Sequence, residues 1–434
     1  MTPQIKQRIE QIRRGEVPEG YKKTKVGIVP ADWQEHKLSH YLTVNNDKNT
    51  DLKYTKDDVF SISGELGIVN QIELLGRSYA GVSVAPYGIV YPNDVVYTKS
   101  PLKANPYGII KTNKLGVTGI VSTLYAIFHC NNNVSPDYVQ LYFESDHNLN
   151  NYLYPIVNIG AKHDMKISDE GSLRGTVVFP PLPEQEKIAA ILQTEDKVIE
   201  LHQKKINELK RLKKVYLSKM FPKKDCNVPE IRFPGFTEPW EQRKAIDIAD
   251  YSKGNGYSKG DLTDAGTPII LYGRLYTKYQ FAISEVDTFA VPQNGAVYSQ
   301  GNEVIVPASG ETAEDIARAS AVEKSGVLLG GDLNILRPFD FINPLFLALA
   351  ISNGEPQKEL AKKAQGKSVV HIHNTDIQEV TIAYPSKTEQ DRIVSVFRHL
   401  DHLITLHQRK CDEEKQKKKA LMQLLLTGIV RTNK

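Results

Sequence analysis

Few residues of this 434-residue chain combine the types and the spacing that catalysis needs. His371 and His373 alternate as two metal ligands could, but alternation along a strand edge accounts for them better. Gly254-Asn255-Gly256 with Gly260 is loosely glycine-rich, yet it follows Tyr251-Ser252-Lys253 and not a clear strand, so it predicts no nucleotide site. We recognise no Walker A motif, no cluster of carboxylates typical of a nuclease, and no set of nucleophile, base and orienting residue. The sequence therefore favours binding or assembly over catalysis.

A short segment and the composition set broader limits. Asn105-Pro106-Tyr107 resembles part of the NPPY motif of amino-methyltransferases, but it lacks the second proline and a glycine-rich AdoMet loop upstream, so we interpret it as a turn. A hydrophobic fraction of 40% allows proper cores, and a net charge of +4 is compatible with nucleic acid. The sequence has no apolar run of about 18 residues that would predict a membrane span. Three distant cysteines form no CxxC pair, which fits a reducing cytoplasm.

The clearest pattern is an internal repeat. Residues 182–221 align without a gap with residues 387–426 at a constant offset of 205. Identical residues recur along the whole segment: Glu184/Glu389, Gln185/Gln390, Ile188/Ile393, Asp196/Asp401, Ile199/Ile404, Leu201/Leu406, His202/His407, Gln203/Gln408, Lys213/Lys418. Upstream, Lys162/Lys367 and Pro180/Pro385 keep the offset, and Trp33-Gln34-Glu35 echoes Trp240-Glu241-Gln242. Between these landmarks similarity is slight, so the ends of two duplicated domains agree while their middles have diverged.

Each repeated segment has one apolar face, as a long amphipathic helix does. Its apolar residues are spaced by three and four, close to a coiled-coil seam, and one histidine per helix lies on or beside that seam. The predicted seam residues are Ile188, Leu192, Ile199, His202, Ile206, Leu209, Ile393, Phe397, Leu400, Ile404, His407 and Leu421. Such a helix would be roughly 55–60 Å long. We predict that the two helices pack antiparallel as a coiled coil; the alternatives are packing on their own domains or on a second chain.

The segments outside the two helices predict a mixed α/β (α+β) fold with β-rich domain cores. Strand-rich stretches with Gly, Pro and Asn between them are predicted at Val59–Ser63, Gly88–Tyr97, Gly119–Phe128, Thr267–Leu271, Ala296–Tyr298, Val304–Val306 and Val327–Leu336, and short helices at Pro136–Glu144 and Pro344–Ala350. The predicted parts are an N-terminal helical segment and connector (1–29), a first domain (30–182), a central helix (183–222), a connector (223–239), a second domain (240–387) and a C-terminal helix (388–428). The whole is an internal pseudo-two-fold duplication.

The repeated helices resemble the conserved spacers of specificity subunits of Type I restriction-modification systems. The resemblance is carried by the Pro-Pro-Leu-Pro-Glu-Gln-Glu-Lys-Ile stretch at 180–188 and by its weaker copy, Thr-Glu-Gln-Asp-Arg-Ile at 388–393. The connector Pro229–Phe236, followed by Trp240-Glu241, is similar to segments that precede target-recognition domains in that family. The resemblance covers nearly the full length; Thr388 departs from it by replacing the usual proline.

The resemblance implies a subunit with no catalytic centre of its own. Each domain would be a target-recognition domain that reads one half of a split site on double-stranded DNA, and the paired helices would dock two modification (methyltransferase) subunits. Those subunits would bind AdoMet and methylate adenine, and a restriction subunit, where present, would use ATP and Mg. This chain would hold no cofactor or metal, contact no membrane and lie in the cytoplasm. Because the two middles differ, the half-sites should differ, so the target would be bipartite and asymmetric.

Two other functions are open alternatives. The chain would be a fused adenine methyltransferase or nuclease if it bound AdoMet by itself. It would be a scaffold whose helices assemble other chains if the complete complex bound DNA without salt dependence or not at all, since phosphate contacts must weaken with salt.

Candidate DNA contacts follow from side-chain chemistry, because phosphates need cations and small donors whereas bases need planar or bidentate side chains. In the first domain the candidates are Arg77, Lys99, Lys103, Lys111 and Lys114, with Ser63, Gly64 and Tyr97 beside them. In the second domain they are Lys253, Tyr257, Lys259, Arg274, Tyr276 and Lys278. The aligned loops around Lys162 and Lys367 predict a shared phosphate contact. For each residue the alternative is an ordinary solvated surface position, and the lysine runs 210–214 and 415–419 fit a solvated or partner-docking helix face better than DNA.

Overall fold

The structure is a computed structural model that describes residues 2–102, 105–159, 165–366 and 369–432. The chain divides into two compact units, Met1–Leu201 with Lys410–Lys434 (unit 1) and His202–Arg409 (unit 2). Each unit thus contains one globular domain, one part of the first repeated helix and one part of the second.

Unit 1 begins with the predicted N-terminal helix, α1 (Pro3–Arg13), which is capped by Thr2 and followed by Gly15 at a φ of 76°. Its strands are β1 (Tyr21–Thr24), β2 (Gly27–Pro30), β3 (Gln34–Lys37), β4 (Leu42–Val44), β5 (Phe60–Ser63), β6 (Gly67–Asn70), β7 (Gly88–Val90), β8 (Val95–Thr98), β9 (Ile110–Thr112), β10 (Gly119–Val121), β11 (Tyr125–Cys130), β12 (Asn158–Ile159), β13 (Met165–Lys166) and β14 (Thr176–Phe179). Its further helices are α2 (Gln71–Leu75), α3 (Pro136–Glu144), α4 (Asp146–Leu153), α5 (Asp169–Ser172) and the first part of α6 (Leu182–Lys219).

Unit 2 continues with the strands β15 (Glu241–Lys244), β16 (Ala249–Lys253), β17 (Leu262–Thr263), β18 (Thr267–Ile270), β19 (Ala282–Ile283), β20 (Phe289–Ala290), β21 (Tyr298–Gln300), β22 (Glu303–Pro307), β23 (Ser309–Gly310), β24 (Ser320–Val322), β25 (Ser325–Leu329), β26 (Leu333–Pro338), β27 (Val370–His371) and β28 (Thr381–Tyr384). Its helices are α7 (Arg274–Thr277), α8 (Ala313–Ile316), α9 (Pro344–Ile351), α10 (Gly354–Lys363), α11 (Asn374–Gln378) and the first part of α12 (Lys387–Leu426), up to Arg409, besides the end of α6. Short 3-10 turns occur in both units, at Leu38–His40, Lys56–Asp58, Ala245–Asp247 and Lys259–Asp261.

The two domains share one sheet frame although their sequences differ. In unit 1 four antiparallel strands lie in the order β4-β11-β8-β9, and in unit 2 the antiparallel strands β16-β26-β22-β24 lie in the same order. The strand after each tryptophan pairs with the last strand of its domain, β3 with β14 and β15 with β28. The duplication therefore includes the domain interiors as well as the ends that the sequence matches.

The domains differ in one segment of the chain, which lies between β4 and β8 in unit 1 and between β16 and β22 in unit 2. In unit 1 this segment carries the β5–β6 hairpin, α2 and β7, which pairs with β10. In unit 2 it contributes to a second five-stranded sheet, β17-β20-β18-β25-β21, with one parallel pair. We call these two segments, residues 45–94 and 254–302, the inserts. Each insert contributes to an apolar cluster that is separate from the main core of its domain, together with Ile120 of β10 in unit 1 and Leu328 of β25 in unit 2.

The sequence predictions for the elements are largely confirmed. The mixed α+β class is confirmed, and the helices predicted to begin at Pro136 and Pro344 are α3 and α9. Three stretches predicted as β-rich each contain two strands joined by a turn: Gly88–Tyr97, Gly119–Phe128 and Val327–Leu336. The predicted antiparallel packing of the two long helices is confirmed, since α6 and α12 pack against each other and run antiparallel.

Candidate nucleic-acid interface

Each long helix is attached to its domain by a buried glutamine at its first turn. The Gln185 side chain accepts a hydrogen bond from the Ser135 backbone N–H (2.9 Å) and donates to the Pro180 carbonyl oxygen (2.9 Å). Gln390 repeats this contact: it accepts from the Asn343 N–H (2.7 Å) and donates to the Pro385 carbonyl oxygen (2.8 Å). Ser135 and Asn343 are the N-cap residues of α3 and α9. The glutamine of the repeated Glu-Gln pair therefore fixes the helix to the domain core.

The neighbouring glutamate closes a second attachment. The carboxylate of Glu184 is fully buried and receives two hydrogen bonds of 2.8 Å from the Arg431 guanidinium, together with one of 3.2 Å from the Trp33 indole N–H. The carboxylate of Glu389 receives the same pair of 2.8 Å bonds from Arg232. In both units the arginine lies shortly after the end of a long helix and the glutamate at the start of the other. A buried carboxylate is stable only with such a partner, so these pairs hold the helix ends in place.

Within each unit, the two helices are joined by an ion pair that the duplication repeats. In unit 1 the ammonium of Lys418 lies 2.6 Å from the carboxylate of Asp196. In unit 2 the ammonium of Lys213 lies 2.5 Å from the carboxylate of Asp401. The lysines of the two basic runs that the sequence assigned to a solvated or docking face are thus used in part between the helices. His202 and His407 face each other with 3.0 Å between their Nδ1 atoms, a distance at which one ring must donate and the other accept.

The predicted seam residues lie at two depths. Ile188, Leu192, Ile206, Leu209, Ile393, Phe397 and Leu400 are buried, whereas Ile199, His202, Ile404, His407 and Leu421 are half-buried. Ile188 and Leu192 belong to the core of unit 1 together with Leu425 of α12, and Ile393 and Phe397 belong to the core of unit 2 together with Leu209 of α6. Each helix start therefore packs on its own domain as well as on the other helix, which combines two packings that the sequence treated as alternatives.

The basic candidates of the first domain differ in their exposure and in the ion pairs that they form. Arg77 is exposed, with its guanidinium 4.6 Å from the ring centre of Tyr79. The ammonium of Lys99 lies 2.8 Å from the carboxylate of Asp169, and the ammonium of Lys114 lies 2.6 Å from the carboxylate of Asp137. Ser63 ends β5 at the hairpin turn that continues through Gly64. Lys103 and Lys162 lie outside the described residues.

Two of these candidates occupy the domain interior. Lys111 on β9 is only 7% exposed, and burial lowers the pKa of its ammonium. Tyr97 on β8 is fully buried, and its hydroxyl donates to the Tyr107 carbonyl oxygen at 2.8 Å. Burial raises the pKa of this hydroxyl. Both side chains are therefore placed for packing, and a contact with DNA would require them to leave the core.

In the second domain, four candidates line one cleft of about 710 Å³ in the insert: Tyr257, Lys259, Arg274 and Lys278. The cleft is also lined by Tyr272 and Leu262 of the insert and by Gly330, which lies outside the insert. Gly254 cannot carry a side chain here, because a Cβ atom would lie 1.9 Å from the Gly330 carbonyl oxygen. Lys253 is exposed beside this segment, and Lys367 lies outside the described residues.

Inside this cleft, the Arg274 side chain is buried and hydrogen-bonded to neighbouring acceptors, whereas Lys278 is largely exposed to solvent. The Arg274 side chain is 8% exposed, and its guanidinium donates to the Asp287 carboxylate and, at 3.0 Å, to the Glu285 carbonyl oxygen. Lys278 is 54% exposed and bonds the same carboxylate at 2.6 Å. The hydrogen bonds from Lys278 and Arg274 hold the pKa of Asp287 well below its usual range. Tyr276 is half-buried, and its hydroxyl donates to the Ser309 carbonyl oxygen at 2.6 Å.

Both inserts contain one short similar segment that the search for repeats in the sequence did not detect. Tyr54-Thr55-Lys56-Asp57-Asp58 and Tyr257-Ser258-Lys259-Gly260-Asp261 match at an offset of 203, and each ends in the same 3-10 turn closed by a capping box. The signal was present in the sequence as Tyr-Ser/Thr-Lys-X-Asp, but its offset differs by two residues from that of the helices. We call these segments the paired turns.

The described residues contain no group of three or more His, Cys, Asp or Glu side chains that could hold a metal ion. His371 bonds the Ser309 hydroxyl at 3.1 Å from its strand, and His373 caps α11. Among the helices of the described residues, none has an apolar stretch of the length that spanning a bilayer requires.

Comparison with protein-family models then identifies the chain's relatives. The model described as "Type I restriction modification DNA specificity domain" matches residues 173–211 and 237–415, which together make up half of the chain. The chain belongs to the Type I restriction-modification specificity subunits. This specificity subunit is 24% identical over 271 residues to the Type I restriction enzyme MjaVIII specificity subunit of Methanocaldococcus jannaschii, an alignment that spans 59% of the present chain and 62% of that relative.

Two further similarities cover nearly the whole specificity subunit. The putative type I restriction enzyme MjaX specificity subunit of the same organism is 22% identical over 441 residues, which cover 95% of this chain and 97% of the relative. The crystal structure of the Type-I restriction-modification system S subunit from M. genitalium superposes with a TM-score of 0.51 at 12% identity and covers 92% of this chain and 96% of that one. The likeness supports the same fold. Specificity subunits are non-catalytic, DNA-recognising components of these systems.

Proposed function

We propose that each domain of this specificity subunit reads one half of a bipartite, asymmetric site on double-stranded DNA. The observation that carries the proposal is that one sheet frame occurs twice with two different inserts. A repeated frame gives both domains the same attachment to their helices, through Gln185 and Gln390. Different inserts give them different surfaces. Since base pairs are distinguished by the donors, acceptors and methyl groups at their edges, two unlike surfaces should select two unlike base sequences.

We take residues 30–182 and 240–387 as the two target-recognition domains. These boundaries begin beside Trp33 and Trp240 and end beside the helix attachments. Within them, the exposed and cleft-lining candidates are the first choice for DNA contacts: Arg77 and Lys114 in the first domain, and Lys253, Tyr257, Lys259 and Lys278 in the second. Lys99 is a partly buried candidate. Lys103, Lys162 and Lys367 stay candidates on sequence grounds alone.

The helices would serve assembly. We propose that α6 and α12 dock two modification subunits, which bind AdoMet and methylate adenine, and that restriction subunits using ATP and Mg join the full complex. The helices contain 38 and 40 residues, and their shared face is used for packing. Exposed apolar side chains such as Leu201 and Leu212 lie on α6 in addition, which suits contact with another protein. Assembly of such a complex on DNA places it in the cytoplasm.

A domain exchange tests the reading function. Residues 30–182 are replaced by the corresponding domain of another specificity subunit, the chimera is produced with its modification partners, and the methylated positions of the host genome are mapped. We expect one half-site to change while the other half-site is retained. Exchange of residues 240–387 is the matched experiment and should change the opposite half. An unchanged methylated sequence after either exchange would refute the proposal.

Complex formation tests the assembly function separately. The purified specificity subunit should co-elute with its modification partner and, without that partner, should bind no AdoMet in equilibrium dialysis. DNA binding by the complex that does not weaken between 50 and 200 mM salt would favour a scaffold that does not read DNA, because phosphate contacts release counterions over roughly this range.

A further inference from the structure

From the capping residue onward, the paired turns have the same backbone conformation, whereas the residue before it differs: Tyr257 has a φ of 57° and Tyr54 does not lie in that left-handed region. The capping residues Thr55 and Ser258 have φ, ψ angles of −106°, −173° and −114°, 177°. The residues that leave the turns, Val59 and Leu262, have angles of −76°, 127° and −71°, 140°. The two turns thus agree in conformation from the capping residue to the residue that leaves the turn, although the inserts around them have diverged.

Most side chains of the paired turns are explained by structure alone. Asp58 accepts from the Thr55 backbone N–H at 2.7 Å, and Asp261 accepts from the Ser258 N–H at 2.6 Å. Each hydroxyl in turn accepts from the backbone two residues later, at 3.2 Å in both turns. The bonds of the capping box thus account for the Ser/Thr and Asp positions.

The tyrosines anchor the turns to the inserts. Tyr54 packs against the apolar cluster of Val59, Val84 and Ile120, and Tyr257 packs against the cluster of Ile269, Ala290 and Leu328. The Tyr257 hydroxyl also accepts from the Gln293 N–H at 2.7 Å. Each turn is therefore packed onto the apolar cluster beside its own insert.

The lysines are the residues that these contacts leave unexplained. Lys56 and Lys259 are both exposed, and among the described residues neither ammonium forms an ion pair within 4.0 Å. Lys259 opens onto the cleft that Lys278 and Tyr272 also line. Both lysines are thus presented to solvent at the same position of two capped turns.

From this geometry we infer that Lys56 and Lys259 are equivalent phosphate anchors, one for each half of the DNA site. The inference rests on the proposed reading function. A lysine ammonium binds a phosphate as a point charge, and phosphate contacts fix the position of a protein on the duplex without carrying sequence information. One residue can therefore serve two domains that read different bases. This is the physical reason why the lysine would be kept while the rest of the inserts diverged.

The test measures salt dependence with the complete complex of specificity and modification subunits on a duplex that carries its mapped target. Each phosphate contact contributes about 0.9 to the slope of log K against log salt concentration. We expect Lys56→Ala and Lys259→Ala each to reduce this slope by about 0.9, and the double variant by about 1.8. Lys56→Arg and Lys259→Arg should retain the slope, and the methylated sequence should be the same in every variant.

Lys25→Ala is the matched control, because Lys25 is an exposed lysine in the turn of the β1–β2 hairpin and lies outside both inserts. Its slope should equal that of the unchanged protein. Thermal unfolding checks that the alanine variants fold. We expect no decrease in the melting temperature, since in the described part of the chain the two lysine side chains make no contact that stabilises the turns. An unchanged slope in both single variants overturns the inference, and a change in one domain only overturns the equivalence. The domain exchange reports the reading function independently of either result.

Discussion

Replacement of Gln390 by alanine should destabilise the second domain where the start of α12 is attached to the start of α9. The Gln390 side chain is fully buried and forms three hydrogen bonds, with the Asn343 N–H (2.7 Å), the Pro385 carbonyl oxygen (2.8 Å) and the Phe341 carbonyl oxygen (3.1 Å). Alanine leaves all three backbone groups without that partner. At about 1 kcal/mol for each lost bond, the Gln390→Ala change should cost about 3 kcal/mol.

The effect should be concentrated at the start of α9. Asn343 is the N-cap residue, and its side-chain oxygen accepts from the Leu345 N–H at 2.8 Å. Native-state hydrogen exchange of the α9 amides measures the free energy of opening there. A loss of about 3 kcal/mol corresponds to roughly a hundredfold faster exchange, since each 1.4 kcal/mol is tenfold.

The other copy of the glutamine provides an internal comparison. Gln185 makes two bonds of 2.9 Å and a third of 3.5 Å, which is at the limit for a hydrogen bond. Gln185→Ala should therefore cost about 2 kcal/mol, and it should accelerate exchange in α3 and not in α9. Gln203→Ala is the control, because Gln203 is exposed on α6 and should change exchange in neither helix.

Two results would refute this reasoning. Protection of α9 in Gln390→Ala equal to that in Gln203→Ala would show that the buried bonds do not hold the helix to the domain. Equal losses in α3 and α9 after either single change would show that the attachment is not local to its own domain.

Three further predictions concern charged residues. Arg431→Met leaves the buried Glu184 carboxylate with only the Trp33 N–H among its side-chain partners. In denaturant unfolding this change should destabilise unit 1 by about 3–5 kcal/mol, and the additional change Glu184→Gln should recover part of that loss. Lys111→Met should leave the salt dependence of DNA binding unchanged and should not lower the melting temperature, because the ammonium is buried; a lower salt slope would instead place Lys111 at the DNA. Asp287→Asn should lower stability by less than about 1 kcal/mol at pH 7, since the carboxylate is exposed. The pKa of Asp287 is depressed, so the contribution of its charge is fully present above an unfolded pKa of about 4 and is lost progressively as the pH falls from there through the lower pKa of the folded state. Unfolding at pH 7 and pH 3 should therefore show a smaller difference between the two proteins at pH 3, and a constant difference would contradict the ion pair.

The sequence by itself determined the duplication, the two long helices and the family. These features depend on local patterns: apolar residues at spacings of three and four, and the repeated Glu-Gln pair with its fixed offset. Helix starts at Pro136 and Pro344 could also be predicted, because a proline after a capping residue is itself a local signal.

Only the tertiary structure decided which polar residues are available for function. Lys111 and Tyr97 resemble surface contacts in sequence, yet they lie on strands of a sheet that is covered on both sides by the rest of the domain. Arg274 is occupied by Asp287 and Glu285, which lie on the segment between β19 and β20. Strand pairing and ion pairing join residues that are distant along the chain, so spacing in the sequence does not reveal them.

The sheet frame that the two domains share could be recognised only from the tertiary structure, for the same reason. Strand order is set by hydrogen bonds between backbones, which many sequences can form, so β4-β11-β8-β9 and β16-β26-β22-β24 agree although their residues do not. The sequence identified the conserved ends and the diverged middles. The structure showed that the middles contain a conserved frame as well, and that the difference between the domains is concentrated in the inserts.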